Sequence, residues 1–429
     1  MGSIIDYART ETRGFSIHPF READALVLAQ LSYDDVPDCM PRLEGVESQY
    51  GTLRNRVKHF DFRHPFRSIR MLRQPPFDGI SIARADDELH HDRAVPDHDV
   101  ENVGLVDPQV THDFYHAIAA NPRFSDIEMG AFLEQFDDGE QTQFAAVTYR
   151  LPSGTLVVAF RGTDDSLVGW KEDFNLSYMP VIPSQKTATA YVSGVLSALP
   201  SEMPIYVGGH SKGGNLAEFA ALTIDEGGYA RIKRVFNHDG PSFLEAPSPR
   251  IDEPEFQAKL DKTVPESSVF GMILESRDDF RIVQSNAMGF FQHVPFTWIV
   301  DGCDFSTQRT LNNSAKMFDI TLDRWLRSCS QHEREVFIDT MYDLITSSDA
   351  KSWADFQSSF MSNMATFMRD GRNLDDQTKE VMAHAIKNLG DVAGHTLRER
   401  LGATIERMKE AVPFIDTERG DAQNARRKN

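Results

Sequence analysis

Apolar and polar positions follow two different rhythms along this chain. Between residues 143 and 300, short runs rich in β-branched and aromatic residues alternate with stretches whose apolar residues recur every three or four positions. The first rhythm is that of buried strands, the second that of helices laid against a sheet. Gln143–Leu151 and Leu156–Phe160 read as strands joined by a turn at Pro152, Ser153 and Gly154, a hairpin ending at Arg161-Gly162-Thr163. From Pro183 to Leu199, the residues Ala188, Tyr191, Val192, Val195, Leu196 and Leu199 form one helical stripe. Pro204–His210 reads as a strand, and the helix after it carries Leu216, Ala220 and Ile224 on one face until Gly227-Gly228 stops it. Further strands are expected at Ile232–Asn237, Ser268–Leu274, Phe280–Gln284 and Phe296–Val300, with a polar, proline-rich excursion over residues 242–266. This alternation predicts an α/β fold, a sheet with helices on both faces.

On either side of the core the rhythm changes. Residues 20–33 hold a helical pattern with apolar residues on one face and acids near its start. Over residues 54–108 the composition turns to His, Arg, Asp and Pro with little periodicity, which predicts an irregular insertion suited to a lid over the core. A short helix at Asp113–Ala119 leads into the core. Beyond Ser306, amphipathic patterns at Ala315–Leu326, His332–Thr346 and Asp375–Val412 carry no strand signal and end in a charged tail. The expected organisation is residues 1–110 packed on the core, residues 111–305 as the core itself, and residues 306–429 as a helical appendage that can pack on the core or on another copy.

Charge and cysteine content narrow the function. The chain has 429 residues, with 45 basic against 65 acidic residues and a net charge of -20, which argues against a nucleic-acid partner and weakens any case for anionic membranes. Cys39, Cys303 and Cys329 are far apart and odd in number, so neither a disulfide framework nor a C-x-x-C metal site is signalled. His90-His91 has no companion ligand at metal spacing and reads as part of a solvated loop. No cofactor or metal is expected. The first 22 residues lack the apolar run of a secretory leader, and no stretch of 18 apolar residues occurs, so the expectation is a cytoplasmic protein without a transmembrane segment.

The chemistry gathers at Gly209-His210-Ser211-Lys212-Gly213, a G-x-S-x-G pattern set between a strand and a helix. There the serine is held on a sharp turn, the flanking positions need glycine, and the hydroxyl stands above the sheet edge. Ser211 is the candidate nucleophile. A serine hydroxyl needs a base and a group to orient that base, which follow the nucleophile in the order acid, then histidine. Of the downstream histidines, His332, His384 and His395 fall in the helical appendage, and His238 follows its strand too closely, which leaves His293. For the acid, Asp239 in His238-Asp239-Gly240-Pro241 is preferred, and Asp278 and Asp279 stay open. Oxyanion donors are expected from the Lys212 amide at a helix start and from the Thr163 amide in the Gly162-Thr163 loop. Phe290 and Phe291 beside the base can wall an acyl pocket or simply fill the core.

Phe160-Arg161-Gly162-Thr163, Gly169-Trp170-Lys171-Glu172-Asp173-Phe174 and Gly209-His210-Ser211-Lys212-Gly213-Gly214 together resemble the class three lipases among α/β hydrolases. The match is closer to the Mbeg-like family of uncharacterised, lipase-like bacterial proteins, through Gly162–Asn175, Asp239-Gly240-Pro241, Val283-Gln284-Ser285 through Gln292-His293, and the early Leu31-Ser32-Tyr33. The resemblance spans about residues 20 to 300. It implies an α/β-hydrolase fold and an esterase or lipase acting on a small-molecule ester or lipid, with Ser211 as nucleophile and His293 as base. Class three lipases place their acid in a D-x-V-P segment, and the nearest equivalent here, Ser268-Val269-Phe270-Gly271, has no aspartate. Trp170 and Asp173 are expected to brace the oxyanion loop. The competing reading is a catalytically silent member of the fold kept as a binding or assembly module.

Overall fold

The computed structural model describes residues 2–346 except 74, 93–107, 165, 200–202, 276 and 278, and beyond them only 378–382, 384, 387, 388 and 391. Among the described residues, twelve strands occur in chain order: β1 (Gly2–Ser3), β2 (Ile80–Ser81), β3 (Glu128–Asp137), β4 (Thr142–Arg150), β5 (Leu156–Phe160), β6 (Ile205–His210), β7 (Ile232–His238), β8 (Leu260–Pro265), β9 (Arg281–Val283), β10 (Ile299–Asp301), β11 (Asp304–Phe305) and β12 (Thr307–Gln308). Nine of them form one sheet in the order β12-β9-β8-β7-β6-β5-β4-β3-β2. Its middle, β5 through β9, is parallel, and both margins are antiparallel. The remaining β1, β10 and β11 make a small second sheet.

The central strands are apolar on both faces because helices cover both. Val147, Tyr149, Val157 and Ala159 point into one core with the helices Ile4–Thr10, Glu22–Leu31 and Pro108–Ala119. Their neighbours Ala146, Val158 and Phe160 point into the other, with the helices Leu43–Tyr50, Pro183–Ala198 and Lys212–Thr223. This two-sided burial is what a near-continuous apolar strand implies.

Several expectations are corrected. The helix over residues 20–33 is buried along its whole described length, Glu22–Leu31, not on one face. Its acid Asp24 is tolerated because the Arg123 guanidinium meets it through two hydrogen bonds of 2.8 and 2.7 Å and the Tyr7 hydroxyl through a third of 2.7 Å. The stretch expected to be irregular holds the short helices Leu53–Lys58, Pro65–Arg73 and Ile82–Asp92. Their apolar positions are interrupted by arginines and several face solvent, so the periodicity does not stand out. The side chains of His90 and His91, and residues 93–107, lie outside the described residues, as does nearly all of the expected helix over residues 375–412. β3 was not anticipated, and β8 falls within the stretch read as a polar excursion. Ser268–Leu274, expected as a strand, contains only the 3-10 turn Phe270–Met272. Phe296–Val300 splits between a 3-10 turn and β10. Among the described residues no helix is long and apolar enough to cross a membrane.

Candidate active site

β6 ends at His210, and the chain turns at Ser211 into the helix Lys212–Thr223. Ser211 sits at φ 57° and ψ -131°, a left-handed conformation that costs a residue bearing a Cβ about 1–3 kcal/mol. Its amide donates to the His238 carbonyl at 2.9 Å, which anchors the turn to β7. A Cβ on Gly209 would collide with the Gly213 backbone, and one on Gly213 with the Phe160 carbonyl, so the glycines are what let the turn fold back on the sheet.

Of the residues singled out from the sequence, Ser211, His293 and Asp239 meet. His293 Nε2 lies 3.1 Å from Ser211 Oγ, and its Nδ1 lies 2.6 Å from Asp239 Oδ2. A carboxylate oxygen accepts, so the imidazole carries its proton on Nδ1 and offers Nε2 as the base. Asp239 follows β7 at φ 54° with its side chain fully buried, and its amide donates to the Thr263 carbonyl at 2.7 Å. Its second oxygen accepts from the Ser268 hydroxyl at 2.5 Å and the Gly271 amide at 3.1 Å. The segment noted for lacking an aspartate therefore supplies two donors to the carboxyl group on the neighbouring strand. A Cβ on Gly271 would overlap Asp239 Oδ1, which explains the glycine there.

The alternatives fall elsewhere. His238 is buried with Nδ1 on Thr263 Oγ1 at 2.8 Å, and burial pushes its pKa down to about 3, which fixes it neutral inside the core. Asp279 makes no contact with His293 among the described hydrogen bonds and ion pairs, and Asp278 lies outside the described residues. Phe291 is largely exposed, and the Phe290 side chain is outside the described residues.

Beside the serine, the Gly162 amide donates to the Tyr33 hydroxyl at 3.0 Å. The next residue, Thr163, lines the same cleft as Ser211. The Thr163 hydroxyl donates to Asp173 Oδ2, while Asp173 Oδ1 is inaccessible and has no hydrogen-bond partner. Burial pushes the Asp173 pKa up to about 6, against the opposing pull of the nearby Lys212 cation. The Lys212 side chain turns away from the cleft: its ammonium donates to Gln143 O and Oε1, each at 2.9 Å, and to Glu172 Oε2 at 3.0 Å. Glu172 also takes the Gln143 amide at 3.1 Å and the Ser184 amide and hydroxyl at 3.0 and 2.8 Å. Sequence reasoning missed this pairing, as it missed the role of His210. His210 Nε2 donates to the His293 carbonyl at 2.9 Å and its ring lies against that of His293, with centroids 4.6 Å apart. Burial and the neighbouring imidazole hold His210 well below the usual histidine range, so it braces His293 as a neutral ring.

The cleft has a volume of about 50 Å³, and Trp170, Phe270, Val294 and Pro295 contribute apolar wall beside Ser211 and His293. At about 10–15 Å³ per water it has room for a few waters or a short acyl group. Such an arrangement can draw a proton from Ser211 to His293 while Asp239 holds the ring, and can offer amides to a developing oxyanion. Among the described residues, Glu11, His18 and Cys303 form a separate group whose ligand atoms lie within 4.8 Å of one another, but the Glu11 carboxylate is already engaged by Arg13.

The Mbeg1-like family model matches residues 118–343, more than half of the chain, and the match takes in Ser211, Asp239, His293 and the Gly162-Thr163 loop, though not Tyr33. No curated protein matches the chain.

Proposed function

The chain belongs to the Mbeg1-like family, and from that premise and the site geometry we propose that it is a serine hydrolase that cleaves a carboxylic ester through Ser211, His293 and Asp239. The observation that carries the reading is the hydrogen-bonded line from Ser211 Oγ to His293 at 3.1 Å and from His293 to Asp239 at 2.6 Å, built on a serine at positive φ.

Ser211 Oγ attacks the ester carbonyl carbon as His293 Nε2 takes its proton. The carbonyl oxygen becomes an oxyanion held by the Lys212 and Thr163 amides, with the helix Lys212–Thr223 directing its positive end at the same point. Collapse breaks the ester C–O bond, and His293 returns the proton to the departing alcohol. Water then attacks the acyl-enzyme by the same route, releasing the acid and restoring Ser211. Asp239 keeps the imidazole in the Nδ1-protonated tautomer throughout.

The same proposal reads the sheet as an α/β-hydrolase variant related to the class three lipases. Two features support it: the serine turn follows a central parallel strand, and acid and histidine come later in the chain in that order. The three-part division at residues 110 and 305 belongs to the proposal too. The cleft volume favours short acyl chains over long ones.

A fluorophosphonate probe tests the reading directly. Rapid labelling of the wild-type protein is expected, with labelling lost in Ser211→Ala and reduced at least a thousandfold in His293→Ala, both verified as folded. On a panel of p-nitrophenyl esters, acetate and butyrate should turn over faster than palmitate. A folded wild-type protein that stays unlabelled would leave a binding or assembly module as the function.

A further inference from the structure

A chain with net charge -20 carries one strongly basic stretch: residues 53–73 contain seven Lys and Arg against the single acid Asp61. They form the helices Leu53–Lys58 and Pro65–Arg73. Arg54, Lys58, Arg63, Arg67, Arg70 and Arg73 are all exposed, and none makes a salt bridge among the described residues. Arg56 is spent on structure, its guanidinium donating to the Tyr50 and Leu72 carbonyls. Asp61 is engaged within the stretch by the His64 ring at 2.8 Å and the Arg63 amide at 2.8 Å.

The same stretch exposes large apolar side chains. Phe62 and Phe66 are 86% and 87% exposed, and Leu53, Val57 and Ile69 are 63%, 54% and 48% exposed. Among the described residues, five of the eleven large exposed apolar side chains thus lie within 21 positions. Beside them lies a basin of about 780 Å³ with Arg67, Arg70, His59 and His64 in its lining, together with the one carboxylate, Asp61, which the His64 ring engages.

Cations without a carboxylate partner, interleaved with exposed apolar residues on short helices, are the composition that binds at a lipid–water boundary, where apolar side chains enter the acyl margin and cations meet anionic headgroups. Single-stranded nucleic acid uses cations with aromatic stacking platforms. Here the aliphatic Leu53, Val57 and Ile69 share the surface with the phenylalanines, and they have no face on which a base can stack. We infer that residues 53–73 dock this protein on the surface of an anionic lipid bilayer, with the basin receiving a headgroup phosphate.

The docking surface stands apart from the catalytic cleft. Its basin is bounded by Ser153 and Gly154 at the β4–β5 turn and by Met203 and Pro204 just before β6. β6 then runs six residues, roughly 20 Å, before the chain reaches Ser211. The basin and the cleft share no lining residue and lie at opposite ends of β6, so membrane docking and ester cleavage are separable.

Co-sedimentation with vesicles tests this without reference to esterase activity. The full-length protein should bind vesicles containing one-third phosphatidylglycerol and ignore vesicles of phosphatidylcholine alone, and binding should weaken as salt rises. Each cation near an anionic surface strengthens binding about fivefold, so Arg63→Gln/Arg67→Gln/Arg70→Gln should weaken it on the order of 100-fold. Arg63→Lys/Arg67→Lys/Arg70→Lys should bind nearly as wild type. Phe62→Ser/Phe66→Ser should lose at least tenfold, and Ser211→Ala nothing. The inference is overturned if the protein binds neither vesicle or both equally, if the glutamine and serine variants bind as wild type, or if it binds single-stranded DNA and not vesicles. A self-associated species in solution that Phe62→Ser/Phe66→Ser dissolves, with no vesicle binding, would assign the surface to a second copy and overturn it as well.

Discussion

Asp173 is the side chain in the cleft whose environment and charge are most at odds. One carboxyl oxygen takes the Thr163 hydroxyl and the other is enclosed without a partner, so burial raises its pKa from 3.8 to about 6. The sign of the consequence follows from proton counting. Below pH 3.8 the carboxyl is protonated in both folded and unfolded chains and costs nothing. Between 3.8 and about 6 the unfolded chain ionises first, so stability falls as pH rises; above 6 the full penalty remains. The gap corresponds to a ceiling of about 3 kcal/mol. The carboxamide of an Asp173→Asn variant keeps an acceptor for Thr163 and cannot ionise. Thermal unfolding of both proteins from pH 4 to pH 7 should therefore show the wild type losing ground to the variant up to about pH 6 and the difference levelling off above it. Parallel curves would mean that Asp173 ionises inside the fold without cost.

At the scale of elements, the helix Lys212–Thr223 behind Ser211 and the helix Leu167–Asn175 behind the Gly162-Thr163 loop are locked by one buried ion pair. Lys212 and Glu172 are both fully buried, and Glu172 also holds the start of β4 through Gln143 and the start of the helix Pro183–Ala198 through Ser184. Lys212→Met leaves the Glu172 charge without its cation, a loss of about 3–5 kcal/mol. Lys212→Met/Glu172→Gln removes the stranded charge while keeping acceptor and donor groups, and should recover much of that loss in denaturant unfolding. If the double variant is no more stable than the single one, the pair is not what joins the two helices. This pair also marks what the sequence could and could not reveal. The serine turn was legible because its strand, glycines and helix are contiguous. Lys212 and Glu172 lie forty positions apart, and nothing in either neighbourhood announces the other. β8 was obscured because its early polar residues are satisfied laterally, Asp261 by Arg234 and Arg281 and the buried Lys262 by Glu275, so its uncharged buried run, Thr263–Pro265, was too short to read as a strand. The hold of Ser268 and Gly271 on Asp239 stayed hidden for a related reason: it depends on which strand lies beside β7, and only topology decides that.

Across the whole molecule, segments remote in sequence close around the site from both ends of the chain. Tyr33, just after the buried helix Glu22–Leu31, accepts the Gly162 amide and so holds the Gly162-Thr163 loop from the N-terminal side. From the other side, the helix Gln331–Thr346 packs on Leu167–Asn175, the helix that carries Glu172 and Asp173. The contact centres on Lys171, which is buried and pairs with Asp339, while Asn175 Oδ1 accepts from its ammonium at 2.8 Å and the Tyr178 and Tyr342 rings lie 5.6 and 5.8 Å away. A helix that served only as a surface appendage would have no need to neutralise a cation buried one residue from Glu172. Asp339→Ala leaves Lys171 short of its carboxylate, and because Asp339 is half-exposed the expected loss is about 1–2 kcal/mol, below that of a fully buried pair. The kinetic signature is more telling than the stability. Loosening Leu167–Asn175 disturbs Thr163 through Asp173, so kcat for a short-chain ester should fall about 3- to 10-fold with KM nearly unchanged, since the oxyanion forms only in the transition state. Glu333→Ala, on the same helix but with its carboxylate engaged by the Ser330 amide and the His384 ring rather than by Lys171, is the control and should leave kcat intact. Equal kcat in Asp339→Ala and wild type would show that the helix Gln331–Thr346 packs on Leu167–Asn175 without conditioning the cleft.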